Sequence, residues 1–385
     1  MVTRVPGGEF RDRLAGVRDR LAATEVDAGV WFGATSIEYL TGFDHIQTER
    51  PVVLAVTPDA VEITVPRLEV ERARAVDRID AVHHYFDYPG GEPIETAVGM
   101  FQELGAKAVA ADADGAPGTM GYEGPALSEY LDVETQNWVR RMRYAKSEVE
   151  VELIRESARW ANLGHRYLAD RVEPGAHPAT VSQRASTAAS RVMLDALGDE
   201  YVPRTRGSGP VRAGFISGRQ TALPHGHTAN RRLAEGDVLI TGASANVDGY
   251  FSELERTMFV GHPTDEDEHY FELMLEAQTT AMEALGPGVP VADVDRAVWD
   301  YFEEQGIGDL ARHHVGHNIG MGGHEPPYID RGNDEMIEPG HVYTIEPGIY
   351  TEDAGYRHSD TVAVTEDGTD RLTYFPRDLE SNVVG

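Results

Sequence analysis

A chain of 385 residues exceeds what one ordinary hydrophobic core organises, so two domains are expected. Its net charge of −31, from 65 acidic against 34 basic residues spread along the chain, excludes nucleic acid and acidic membrane surfaces as partners. The absence of cysteine excludes disulfides, thiolate ligands and a cysteine nucleophile, and no apolar run nears the ~18 residues of a membrane span.

Arginine supplies nearly all of the positive charge, since Lys107 and Lys146 are the only lysines. Such a surface suits a salt-rich cytoplasm, where dense carboxylates keep a protein hydrated while screening weakens their repulsion. Unfolding free energy is therefore expected to rise between low salt and molar KCl, and a flat dependence in a urea titration would sink the idea. Residues 1–9 lack the apolar core of a signal peptide and read as the start of a cytoplasmic protein.

Along the chain, an amphipathic helix is predicted over 10–24, then an apolar strand over 28–32, then strands over 52–56 and 61–65 with a turn between. This pattern is α/β. A Gly/Pro/Asp-rich patch at 112–125 precedes a short segment ending at Trp138-Val139, and Ser147 reads as the N-cap of a long helix. The boundary falls near 140–147, giving domains over 1–140 and 147–385. Val151, Ile154, Ala158, Ala161 and Leu168 recur at helical spacing and are expected to face a core. A weak internal repeat follows: this helix, Val172-Glu173-Pro174-Gly175 and a second helix are echoed by helices over 272–285 and 291–305 around Gly286-Pro287-Gly288.

Several short segments carry the functional signal. They are Glu38-Tyr39-Leu40-Thr41-Gly42-Phe43, Met142-Arg143-Tyr144-Ala145-Lys146-Ser147-Glu148, Leu223-Pro224-His225-Gly226-His227 and the strand-like Gly249-Tyr250-Phe251-Ser252-Glu253-Leu254-Glu255-Arg256-Thr257. Downstream come His314-Val315-Gly316-His317-Asn318-Ile319-Gly320, His324-Glu325-Pro326-Pro327, Thr344-Ile345-Glu346-Pro347-Gly348 and Gly355-Tyr356-Arg357-His358-Ser359-Asp360-Thr361. In this order and spacing they resemble the pita-bread family that includes prolidase, aminopeptidase P, methionine aminopeptidase and creatinase. The resemblance implies an α/β N-terminal domain plus an α+β pita-bread C-terminal domain with a pseudo-two-fold internal repeat. It also implies a C–N bond hydrolase acting on a small, carboxylate-bearing, peptide-like or guanidino-like substrate.

The peptidases of that family use five ligands for two metals: two aspartates, one histidine and two glutamates. Carried over by position, the histidine is His317, the first glutamate Glu346 and the second aspartate Glu253. The first aspartate falls on Gly242, beside Thr241, and the last glutamate on Ser359. Two ligands are absent. Glu253, His317 and Glu346 can still hold at most one divalent metal, manganese, zinc or iron, because three protein ligands with an open position suit a mononuclear catalytic site.

A metal-free site is the alternative, because Leu254-Glu255-Arg256-Thr257 looks like creatinase, where a glutamate stands in place of the peptidases' threonine. On a strand Glu253 and Glu255 share a face, so a cation is expected between them or a raised pKa on one. The creatinase resemblance gives His225 the role of acid/base and Glu255 and Glu346 a substrate cation, with ectoine-like compounds as further substrates. It also makes Arg50 the group that anchors a substrate carboxylate across a homodimer. The His324-Glu325-Pro326-Pro327 run is peptidase-like instead. His324 joins His225 and Glu255 as a catalytic candidate, Tyr250 joins Arg50 at the substrate, and Arg357 either anchors substrate or pairs with Asp360. His313, His314 and His358 read as surface or supporting groups. A third reading, a non-catalytic binding protein, leaves His225, His317, His324 and Glu346 unused in a cavity, which would cost stability.

Overall fold

The computed structural model describes residues 3–205 and 208–385. The chain divides into two compact units, Val5–Arg143 and a second that contains Tyr144–Gly385.

The first unit is a six-stranded mixed sheet with helices. Its strands are β1 Ala28–Trp31, β2 Val53–Val56, β3 Val61–Pro66, β4 Ala81–Tyr85, β5 Ala108–Ala111 and β6 Asp132–Thr135, in spatial order β4-β3-β2-β1-β5-β6. The helices are α1 Gly7–Ala22, α2 Ala34–Thr41, α3 Val70–Arg74, α4 Pro93–Leu104 and α5 Trp138–Met142. β1 and β2 are buried at every position, which is why they read as continuous apolar runs rather than alternating ones. Ile94, Ala97, Val98 and Phe101 of α4 pack on Val30, Val53 and Val109 to form the core.

The second unit starts with α6 Glu148–Ala169 and α7 Pro178–Leu197, then β7 Val211–Ser217, β8 Val238–Val247, β9 Tyr250–Phe251 and β10 Leu254–Val260. After α8 Asp265–Ala284 and α9 Val291–Glu304 come β11 Gly316–Asn318, β12 Glu325–Ile329, β13 Val342–Ile345, β14 Gly348–Tyr350, β15 Gly355–Arg357, β16 Ser359–Thr365, β17 Gly368–Arg371 and β18 Val383–Val384. The main path of its large sheet runs β12-β11-β13-β16-β10-β8-β7. Ala161, Leu168, Val181 and Ala185 of α6 and α7 cover one half of the sheet. Phe271, Met274, Val294 and Val298 of α8 and α9 cover the other, so the helix-pair repeat becomes two helical pads on one large sheet. This is the pita-bread fold.

Local chemistry explains the ends of these elements. Ser147 caps α6 in a reciprocal box, its hydroxyl accepting from the Glu150 amide while the Glu150 carboxylate accepts from the Ser147 amide at 3.0 Å. α8 begins seven residues before the predicted 272, because Thr264 and Asp267 form a second capping box and the acidic run Asp265-Glu266-Asp267-Glu268 sits at the positive end of the helix. The strand expected over 249–257 is broken. Asp248 and Gly249, with φ of 49° and 92°, turn the chain between β8 and β9 as an Asp-Gly hairpin does. Pairing then lapses at Ser252-Glu253 before β10.

Two buried ionic groups flank the sheet. Arg256, fully enclosed, donates to Asp360 Oδ1 at 2.9 Å and to the carbonyls of Ser359, Phe375 and Pro376. Lys146, at the start of the second unit, is buried; its ammonium donates to the Asn318 side-chain oxygen and lies 3.8 Å from Glu325.

Candidate functional site

The site lies where β10, β11, β13 and β16 present side chains to one face. Glu253 occupies the gap before β10. Its backbone is pinned by one hydroxyl, because its amide donates to Thr361 Oγ1 at 2.9 Å and its carbonyl accepts from the same atom at 2.8 Å. An irregular residue is thereby held as firmly as a strand residue. Its carboxylate accepts a hydrogen bond from Ser359 Oγ at 2.8 Å.

His317 on β11 is held by a similar device. Its amide donates to Thr344 Oγ1 at 3.1 Å, and Nδ1 donates to the Asn318 carbonyl at 3.0 Å. That bond leaves the lone pair on Nε2, the tautomer suited to a metal ligand. Nε2 is fully buried, satisfies hydrogen-bond geometry to no group among the described residues, and lies 3.2 Å from Glu346 Oε1. Protonated, Nε2 pairs with the Glu346 carboxylate; neutral, its lone pair faces carboxylate oxygens, which is unfavourable unless a cation stands between them.

One ligating atom each from Glu253, His317 and His324 fall within 4.8 Å of one another, and so do those of Glu253, Glu255 and Glu346. Glu253 is common to both groups and His317 lies 3.2 Å from Glu346, so the three residues expected to hold a metal are pairwise close; His324 joins the first group and Glu255 the second. The donor set of carboxylates and imidazole fits a divalent cation such as manganese, zinc or iron. Electrostatics agree. Burial, then the negative charges of Glu346 and Glu255, push the Glu253 carboxyl up to about 8. Burial also works against charge on Glu346, but the His317 contact and the Arg357 guanidinium outweigh it and hold Glu346 down at about 2. Burial opposes protonation of His317, yet Glu346 and Glu253 raise its pKa overall. Three carboxylates compete for too little positive charge, which is the demand a bound cation would meet.

Arg357 on β15 contributes a fixed cation. It is buried and grips Glu255 with Nε at 2.5 Å and Nη2 at 3.0 Å, while Nη1 donates to Tyr350 Oη at 2.9 Å and to the Pro224 carbonyl at 3.2 Å. Tyr350 Oη in turn lies 2.7 Å from His313 Nε2.

Residues 152–366 match the description "Metallopeptidase family M24", and residues 13–145 match "Creatinase/Prolidase N-terminal domain". The chain belongs to metallopeptidase family M24. By class it is a C–N bond hydrolase. It is 28% identical to the Xaa-Pro dipeptidase of Pyrococcus furiosus, over 85% of this chain and 88% of that one. Among solved structures it is similar to dipeptidase PepE from Mycobacterium ulcerans, with a TM-score of 0.79 at 27% identity over 99% of each chain. The Xaa-Pro dipeptidase from Bacillus anthracis shares the fold, with a TM-score of 0.81 at 23% identity over 97% of this chain and all of the other.

Against this M24 frame, several sequence expectations need revision. Arg357 pairs with Glu255 rather than Asp360, which belongs to Arg256, and its donors are taken by Glu255, Tyr350 and Pro224. Four of its five N–H donors are thereby occupied, two of them by Glu255, an arrangement that suits holding Glu255 in place more than anchoring a substrate carboxylate. Glu255 likewise faces an internal cation, not a free space for a guanidino substrate. Tyr250 is 1% exposed and donates to Glu150 on α6 at 2.7 Å, so it builds the core rather than touching substrate. His225 is exposed on the loop after Pro224, close enough to His324 for its charge to be felt there. His324 is exposed at the rim, its ring stacked on that of His317 at 3.6 Å. Arg50 sits in the first unit, paired with Glu49 at 2.5 Å and Asp87 at 2.9 Å. His314 stacks on Tyr328, whereas His358 is fully buried rather than at the surface. Thr344 and Thr361 stood at the ends of two of the motifs without a role of their own, and Tyr350, two residues past Gly348, was not singled out; each acts across strands.

Among the described residues, no helix is long and apolar enough to cross a membrane.

Proposed function

We propose that the protein is a cytoplasmic, homodimeric peptidase of small Xaa-Pro-type peptides that works with one divalent cation held by Glu253, His317 and Glu346. The observation that carries this is the convergence of the buried His317 Nε2, whose ring is oriented by Nδ1 donating to the Asn318 carbonyl, with the Glu253 and Glu346 carboxylates, 3.2 Å from the latter. Similarity to Xaa-Pro dipeptidases supports the substrate class.

When bound, such a cation supplies Lewis acidity for a scissile carbonyl. The chain's own groups do the rest. Glu253 and Glu346 hold opposite protonation preferences across a short gap in the cation-free site, and both would be ionised when they hold the cation, so loading releases a proton from Glu253. Burial, then the charge of neighbouring His317, lowers the pKa of His324, which favours its neutral form at the rim, ready to accept or donate a hydrogen bond to a peptide. His225, nearby on an exposed loop, is placed to exchange a proton with the leaving nitrogen. Arg50 of the partner subunit is the carboxylate anchor in this reading, and binding there would displace Asp87. The metal-free reading draws less support, because it asks Glu255 to hold a substrate cation while Arg357 already holds both its oxygens.

The test is hydrolysis of Xaa-Pro dipeptides and of creatine and ectoine by protein loaded with manganese, zinc or iron in molar salt, with and without chelator. Chelator-sensitive release of proline is expected. Chelator-resistant turnover of creatine or ectoine would overturn the reading, and a monomer by light scattering would remove Arg50 from it.

A further inference from the structure

Three neighbouring strands place Gly242, Glu255 and Ser359 in one row. On the β8 side Glu255 pairs with Gly242, and on the β16 side it pairs with Ser359. These flanking residues are the two positions at which the family resemblance leads one to expect metal-ligating carboxylates. Both are vacated, and the single carboxylate of the row stands between them.

The direction of that carboxylate is informative. A Cβ built on Gly242 would lie 3.6 Å from Glu255 Oε1 and 3.7 Å from its Cγ, an ordinary contact distance, so Glu255 leans into space beside the glycine. Ser359 turns its hydroxyl to Glu253 at 2.8 Å. Both Glu255 oxygens are bound by Arg357 at 2.5 and 3.0 Å, and the guanidinium is buried and locked on its other side by Tyr350 and Pro224. Glu253, Glu255 and Glu346 set against this guanidinium leave two negative charges, which one divalent cation balances. A second divalent ion would carry the cluster to a net positive charge beside an immovable cation in a poorly screened interior.

We propose that Glu255 and Arg357 are positioning residues that fill the place of a second metal: the carboxylate lost from the row's flanks is resupplied at its centre and committed to an internal cation. This rests on the one-metal reading above and gives it a cause. It also implies that the site is convertible. Exchanging the row back, with Gly242→Asp, Glu255→Thr and Ser359→Glu together, restores flanking carboxylates and removes the partner of Arg357.

The experiment is manganese loading of the full-length protein in molar salt, desalting, elemental analysis per chain, and Mn(II) electron paramagnetic resonance. Wild type is expected to hold one manganese with the spectrum of an isolated ion. The triple variant is expected to hold two, with an exchange-coupled spectrum, provided circular dichroism shows it folded. Arg357→Gln, which leaves the backbone row untouched, keeps the test alive if the triple variant fails to fold: with the internal cation gone, a second manganese is expected at saturating metal. Two ions in wild type, or one in wild type and one in each folded variant, overturns this inference while leaving the peptidase reading standing. No metal in wild type overturns the one-metal reading and this inference together.

Discussion

Alanine at position 317 is expected to empty the centre of its cation and to lower kcat/KM on an Xaa-Pro dipeptide by about a thousand-fold or more. The magnitude follows from the several kcal/mol that a Lewis-acid cation contributes to a transition state, at about 1.4 kcal/mol per tenfold in rate. His317 is the only neutral ligand of the proposed trio, and two devices commit it to the role. Thr344 Oγ1 accepts from its amide at 3.1 Å and donates to its carbonyl at 3.3 Å, while the Asn318 carbonyl fixes the tautomer. His314→Ala is the control. That ring packs on Tyr328 and lies 6.2 Å from the His317 ring, so the variant is expected to keep its metal and to stay within a few-fold of wild type. Metal content by plasma mass spectrometry, read beside steady-state rates, checks both. A His317→Ala protein that retained metal and rate would refute the assignment.

The second large effect concerns acid. His165, His341 and His358 are buried and kept neutral: burial, with Arg256 second, lowers His165 to about 3; burial, with Lys146 second, lowers His341 to about 4; and His358 falls well below the usual range, again through burial first. Below pH 6.5 the unfolded chain takes up protons at these three positions that the folded one refuses. Stability present above 6.5 is therefore lost as pH falls, at about 1.4 kcal/mol per unit for each histidine. Two carboxyls oppose this. Glu253 and Asp295, raised mainly by burial to about 8 and about 6, bind protons in the folded state first and gain stability on acidification. Between pH 6.5 and 4.5 the metal-free protein is expected to lose stability, and Glu253→Gln, which removes one opposing group, is expected to lose more over the same interval. Urea titrations at the two pH values, at constant high salt with chelator, decide the matter. Equal pH dependence in the two proteins would contradict the burial argument for Glu253.

The sequence disclosed more of the site than of the forces around it. Glu253, His317 and Glu346 were legible because motif order survives without structure, and the period of two in a strand correctly put Glu253 and Glu255 together even though the strand breaks between them. The α6 cap was legible for a local reason, a Ser and a Glu three residues apart. What stayed hidden depends on register. That Glu255 is flanked by Gly242 and Ser359, or that Arg357 chooses Glu255 over the nearer Asp360, follows only from which strands adjoin. Tyr250 misled for the related reason that a tyrosine beside acidic residues looks the same in sequence whether its hydroxyl meets substrate or a helix. The start of α8 was hidden because four consecutive acidic residues read as solvated loop until the helix dipole and the Thr264 cap are counted.

The two lysines divide in a way that matters at the bench. Lys107 is exposed in the first unit, whereas Lys146 is enclosed beside Asn318, the residue whose carbonyl orients His317. An amine-directed reagent thus meets one accessible side chain in the whole protein, far along the sequence from every ligand. Among lysine side chains, coupling is thereby confined to one point in the first unit, and the α-amino group is the other amine that a reagent would have to be steered away from by pH.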